Sequence, residues 1–217
     1  MKTSNFITTL SLSILLFLSS GASAQSSNSN NSDLPSNTNA FGKGTNVLSI
    51  GVGVGGDYTY IGDGYSSTPN LVITYDNGTF DHVGPGIISL GGLFSYKGAS
   101  YDYTDPHSGY YYNQNWNYYI LGFRSAYHWN FTRSDRFDPY IGLMLAYYDL
   151  SYNVSSSDPD FHNPGNPHYY YYENTYNSYL ALSLYIGARY YLSNRVGIWL
   201  EFGYGYSNAA LGLSFKF

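Results

Sequence analysis

Gly51-Val52-Gly53-Val54-Gly55-Gly56 matches the G-x-G-x-x-G spacing of a dinucleotide cradle. That chemistry needs a strand leading into a helix whose N-terminus holds the pyrophosphate. The residues that follow, DYTYIGDGYSS, read as a loop, so the glycines are expected instead to let the inner face of a narrow sheet pack tightly. Metal chemistry is no better supported. His82, His107, His162 and His168 fall in turn or loop sequence, and the last two flank Pro164 and Pro167 without metal-ligand spacing. His128 points inward near one end of a strand. A hydrolytic site would need Ser, His and a carboxylate together. His128 and Glu201 share the inward face, but no Ser is evidently paired with either, so no catalytic, metal or cofactor residue is assigned.

Five charges remain, Lys97, Arg124, Arg189, Glu201 and Lys216, all placed on one face by strand parity. Folding the chain about residue 194 sets Arg189 opposite Trp199, diagonal to Glu201 and within reach of it. Buried charges must be matched, so the first reading of this set is a structural plug, with a polar conduit as the alternative. Asp149 is ambiguous, because Ile141, Leu143, Leu145 and Tyr147 put it on the opposite face at the rim.

The elements that hold these residues follow from composition and period. Only 11% of the chain is charged, against a usual ~25%, while Tyr occurs 28 times and Gly 24 times. Too few charges are present to wet an ordinary surface. After residue 24 no run approaches the ~18 apolar residues of a spanning helix, which leaves a closed barrel as the structure that satisfies every backbone group in lipid. Eight segments of period two are predicted, at roughly 45–56, 69–76, 85–103, 116–130, 138–152, 176–192, 196–205 and 208–217. The predicted fold is all-β, an eight-stranded antiparallel up-and-down transmembrane barrel with interior filled by side chains. Long connections follow strands one, three and five. The turns between are DNGTFDHV (76–83), FTRSDRF (131–137) and SNR (193–195), with Asp76-Asn77-Gly78 turning the second strand; the connection near Ser207 is short.

Face assignment separates lipid from lumen. Leu180, Leu182, Leu184, Ile186, Ala188 and Tyr190 oppose Ala181, Ser183, Tyr185, Gly187 and Arg189. Val196, Ile198, Leu200, Phe202 and Tyr204 oppose Gly197, Trp199, Glu201 and Gly203, and Leu211, Leu213, Phe215 and Phe217 oppose Gly212, Ser214 and Lys216. Phe94, Tyr96, Phe123, Tyr127 and Trp129 likewise oppose Ser95, Lys97, Arg124 and His128. The uniform face is large and apolar while the other is Gly, Ser and charge, an inversion of the soluble pattern.

Residues 1–24 read as a signal peptide: Lys2, an apolar core from Phe6 to Leu18, and Ala22-Ser23-Ala24 before Gln25. Residues 25–41 form a flexible Ser/Asn-rich leader on the periplasmic side, and 42–217 the barrel. The chain has no Cys, hence no disulfide and no lipid-bearing Cys after the signal.

The stretches GPGIISLGGLFSYK (84–97), GLMLAYY (142–148), LSLYIGARYYLSNRVGIWLEFGYG (182–205) and LGLSFKF (211–217) resemble the small outer-membrane β-barrel family of Gram-negative bacteria, the OmpX-like or porin-like barrels. The resemblance implies an outer-membrane location, with lipid and lipopolysaccharide as surroundings. It also implies that Leu211, Leu213, Phe215 and Phe217 are a C-terminal signal to the barrel-assembly machinery; the same four are also a lipid-facing strand. No nucleic-acid partner or cofactor is expected. The outer loops carry Asp57, Asp63, Asp102, Asp105, Asp158, Asp160 and Glu173 with Tyr110–Tyr112 and Tyr169–Tyr172 and no Lys or Arg. They read as a solvated face with Tyr at the interface belt, or as a surface capturing cations, glycans or a partner protein. The expected role is non-enzymatic, structural or surface-interacting. The alternatives are a narrow channel for small solutes or ions and, behind it, a lipid A-modifying barrel.

Overall fold

The computed structural model describes residues 39–56, 65–129, 134–161, 163 and 178–217, the His82 side chain excepted. Alternating Val, Ile, Leu, Tyr and Phe suit a pleated surface. These segments form β1 (Asn46–Val54), β2 (Tyr65–Ser67), β3 (Asn70–Val83), β4 (Gly86–Thr104), β5 (Tyr111–Trp129), β6 (Phe137–Ser156), β7 (Tyr179–Tyr191), β8 (Val196–Gly203) and β9 (Ala209–Lys216). Neighbours pair antiparallel in the order β1-β3-β4-β5-β6-β7-β8-β9, and β9 returns to β1 with Val47 opposite Lys216. The result is the expected closed eight-stranded antiparallel barrel. The three-residue β2 is an addition to the side of β4, with Ser66 opposite Ser100.

The second strand differs from the sequence expectation. Asp76-Asn77-Gly78 does not turn; β3 continues to Val83 through two register shifts, and the reversal falls at Gly84-Pro85, where Gly84 has φ 58°. The alternation that puts Val72 and Thr74 inside simply carries on through Asp76, whose carboxylate finds partners in the lumen. His82, read as a turn residue, therefore lies in β3. The fourth and fifth strands are also longer than expected, so that Tyr111 and Tyr112 belong to β5. Asp102, counted with the outer loops, lies within the third strand, β4. The short connection near Ser207 is present, as residues 204–208.

Strand length is uneven around the ring. β4, β5 and β6 have 19, 19 and 20 residues, whereas β8 and β9 have 8 each. At ~3.3 Å per residue the long strands reach roughly 60 Å and the short ones roughly 26 Å, the latter close to the span of a tilted membrane strand. Among the described residues Tyr148, opposite Tyr179, is the last of β6 paired to β7. The surplus of β4–β6 thus rises from the end opposite the Val47–Lys216 pair.

Polarity is inverted. Leu180, Leu182, Leu184 and Ile186 of β7, Leu200 and Phe202 of β8, Leu211 and Leu213 of β9, Phe123 of β5 and Leu143 and Leu145 of β6 are exposed on the outside. Inside, an apolar layer that includes Val72, Leu93, Ile120, Met144 and Trp199 shares the lumen with charge. The glycine-rich start of the barrel serves this packing: an added Cβ at Gly51 would fall 2.2 Å from the Leu211 carbonyl oxygen of β9.

Candidate functional site

Among the described residues an ionic cluster crosses the lumen. Arg124 of β5 donates from Nη2 to Glu201 Oε2 at 2.8 Å and from Nη1 to Oε1 at 3.3 Å, a two-pronged grip on β8. Its Nε lies 3.0 Å from Asp76 Oδ1 on β3 as an ion pair. Arg189 of β7 donates to Asp76 Oδ2 and, at 3.0 Å, to Asp138 Oδ2 on β6. Glu201 is completed by hydroxyl donors, Tyr140 to Oε2 at 2.9 Å and Tyr206 to Oε1. All these side chains are buried.

Aromatic rings cover the cations, and glycines make room for the rings. The Arg124 guanidinium carbon lies 4.2 Å from the Tyr185 ring centre and that of Arg189 4.7 Å from the Tyr140 ring centre. Tyr185 is opposite Gly142 and Tyr140 opposite Gly187 across the β6–β7 ladder. A Cβ at Gly142 would fall 2.2 Å from Tyr185 Cζ, and one at Gly187 2.6 Å from Tyr140 Cζ, so each ring lies over the glycine it faces.

A second arrangement joins the cluster at the end where β1 begins and β9 ends. Ser89 Oγ is 3.0 Å from His128 Nε2, and His128 Nδ1 is 2.7 Å from Asp138 Oδ1. This pairs His128 with a serine, contrary to the sequence expectation; Ser89 lies on β4 and Asp138 on β6, the strands flanking β5. The order Ser-His-Asp is that of a nucleophilic relay. Yet all three are at most 2% exposed and Ser89 Oγ faces the lumen rather than the lipid side. The relay extends the ionic network, with two guanidinium groups facing three carboxylates and His128 on the third.

The structure brings together Arg124, Arg189 and Glu201 from the sequence-derived set, with one repartnering. Arg189 stands opposite Trp199 as expected, but its guanidinium goes to Asp138, its direct neighbour across the β6–β7 ladder, and to Asp76, rather than diagonally to Glu201. Arg124 takes Glu201 instead. Lys97 is buried higher on β4, opposite Tyr118. Lys216 lies at the last position of β9, with Nζ 3.2 Å from the Ala40 carbonyl and 4.3 Å from the Tyr191 ring centre. Asp76, Asp138, Ser89 and the tyrosines were missed; continuing the β3 alternation past Tyr75 would have found Asp76. Asp149 faces outward at the rim and accepts a hydrogen bond from Ser178 at 2.8 Å. Leu211, Leu213, Phe215 and Phe217 are exposed on the outer wall.

At the far end the overhanging sheet carries the acidic groups. Asp102, Asp105, Asp158 and Asp160 are among the described residues; Asp57, Asp63, Glu173, His162, His168 and Tyr169–Tyr172 lie outside them. Hydrogen bonds from the Ser108 hydroxyl and the His107 amide hold the Asp105 carboxyl below the usual carboxylate range. The sheet's lumen side is aromatic, with Trp116 and Tyr152 rings 5.5 Å apart and Tyr65 and Tyr101 4.6 Å apart. Its outer side turns from Phe94 and Leu121 through the facing Tyr96 and Tyr119 to Asn117, Asn115 and Asn113.

No family model and no curated protein matches the chain. Among solved structures, OprG from Pseudomonas aeruginosa is similar at 14% identity and a TM-score of 0.48, over 81% of this chain and 97% of that one. Ail of Yersinia pestis, in complex with the heparin analogue sucrose octasulfate, is similar at 13% identity and 0.45, over 81% and 99%. The N-terminal β-barrel domain of P. aeruginosa OprF matches at 13% and 0.40, over 82% and 100%. In strand number, antiparallel order and inverted polarity the chain has the fold of the small outer-membrane β-barrels that its sequence resembles.

Proposed function

We propose that this chain is a non-enzymatic barrel of the Gram-negative outer membrane with a structural or surface-interacting role, exported by residues 1–24. One observation carries the reading: a wall of exposed Leu, Ile and Phe encloses a lumen crossed by a closed network of buried ion pairs. Lipid covers the first and nothing need pass through the second. The start of β1, the end of β9 and the short turns then face the periplasm, and the β4–β6 overhang faces outward with its acidic, Tyr-rich end. Phospholipid and lipopolysaccharide surround the wall, and Leu211, Leu213, Phe215 and Phe217 present the last strand to the assembly machinery. The test is membrane fractionation with gel migration before and after boiling. Outer-membrane recovery and a shift on heating are expected; a soluble, heat-invariant species would end the proposal.

A further inference from the structure

Residues 39–45 belong to no strand, yet they are built into the end of the barrel. Phe41, placed by the sequence in the leader, is 1% exposed, its ring stacked on His128 at 3.9 Å and 12°. The Arg189 guanidinium carbon lies 5.8 Å from the same ring centre. The flanking backbone is tied down on both sides. Ala40 N–H donates to the Ser134 carbonyl at 2.9 Å and its own carbonyl accepts from Lys216 Nζ. Gly44 N–H donates to the Gly78 carbonyl at 2.7 Å, and Gly78 N–H to the Thr45 carbonyl at 2.9 Å.

The seat is shaped for this segment. A Cβ at Gly78 would fall 2.1 Å from the Gly42 carbonyl oxygen and 3.2 Å from Phe41 Cε1, so β3 needs glycine where the segment crosses. Val47 and Ile87 pack on the Phe41 ring. An imidazole face, a guanidinium and two aliphatic side chains thus form a socket that takes a flat ring. Its attachment is a single short segment outside the strand ladders, so it can open without unfolding the barrel.

We propose that the mouth of the barrel where β1 begins and β9 ends is a binding site for an aromatic side chain on an extended peptide, filled in cis by Phe41, whose removal opens the Ser89–His128–Asp138 relay to solvent. This rests on the barrel reading above and adds the stopper. An aromatic peptide from another chain is the class of ligand that would compete for the socket.

Diethyl pyrocarbonate tests it on the full chain in detergent, with modification of each histidine read by mass spectrometry. His107, whose side chain is 95% exposed, is the internal standard. In the native chain His128 should react far more slowly than His107. In Phe41→Ala it should react at least about tenfold faster than in the native chain, because a segment without its buried ring opens at lower cost. The peptide Asn-Ala-Phe-Gly-Lys-Gly-Thr should slow it again, and the same peptide with Ala for Phe should not. Gly78→Val, which leaves Phe41 intact but blocks its seat, should behave as Phe41→Ala does. A heat-dependent gel shift shows that each variant keeps its barrel; should Phe41→Ala lose it, Gly78→Val and Phe41→Leu carry the test. Equal His128 reactivity in folded native and variant chains, or no protection by the Phe peptide, overturns the stopper. Because reagent in detergent reaches both ends, this outcome is independent of membrane orientation. Loss of the gel shift in the native chain would count against the barrel instead.

Discussion

Asp76 and Arg189 stand on β3 and β7, four places apart in a ring of eight strands, and still form an ion pair. Two side chains therefore span the full width of the lumen. With Arg124 reaching from β5 to both Asp76 and Glu201, four strands are tied through the middle as well as along their edges. An eight-stranded barrel is narrow enough for this, and a wider one is not.

Asp76 is the shared acceptor, so its loss should be felt by both guanidinium groups. Asp76→Asn should cost about 3 to 5 kcal/mol, as when one partner of a buried pair is removed. Asp105→Asn, at the far end, should leave the unfolding midpoint almost unchanged. Urea unfolding in detergent reads both, and equal midpoints would show that the cluster carries no stability.

The partner of Glu201 is separable by a double-mutant cycle. Glu201→Gln and Arg124→Met should couple by more than about 1 kcal/mol, whereas Glu201→Gln and Arg189→Met, which share no direct contact, should be closer to additive. Recovery in the first pair stays partial because Asp76 also loses Arg124. Stronger coupling to Arg189 would restore the diagonal pairing that the sequence suggested.

Much of the architecture was legible because lipid imposes a strict period. Leu180, Leu182, Leu184 and Ile186 all had to face one way, and that parity alone placed Arg189 and, by the same rule, Glu201 and Lys216 inside. What failed was local. Asp76-Asn77-Gly78 carries the residues of a tight turn, and turn chemistry outweighed an alternation that the buried carboxylate in fact continues. Partner choice was hidden for a different reason: Ser89, His128 and Asp138 lie on three strands, and a sequence shows parity but not which lumen side chains bend toward each other. Phe41 was lost in the Ser/Asn tract because one aromatic residue gives no period.

The glycines facing Tyr140 and Tyr185 should be intolerant of any side chain. Gly142→Ala forces the Tyr185 ring off Arg124 and should cost about 1 to 3 kcal/mol, the range for overpacking. An outward change of similar size, Ala188→Ser, is the control. If thermal unfolding shifts equally for both, ring-over-glycine packing is not what holds the cluster.

The last strand can be tested in assembly rather than stability. Deleting Phe217 should lower outer-membrane insertion in cells far more than deleting residues 158–168, since only the former touches the residues exposed at two-residue intervals on β9. Equal insertion would show that β9 carries no assembly signal.

A lumen filled by side chains should let nothing pass. Single-molecule recording of the purified native chain in planar lipid bilayers addresses it most directly. Insertion without resolvable conductance steps across the voltage range is expected; discrete, reproducible openings in the native chain would show an open path and make the ionic cluster the lining of a channel.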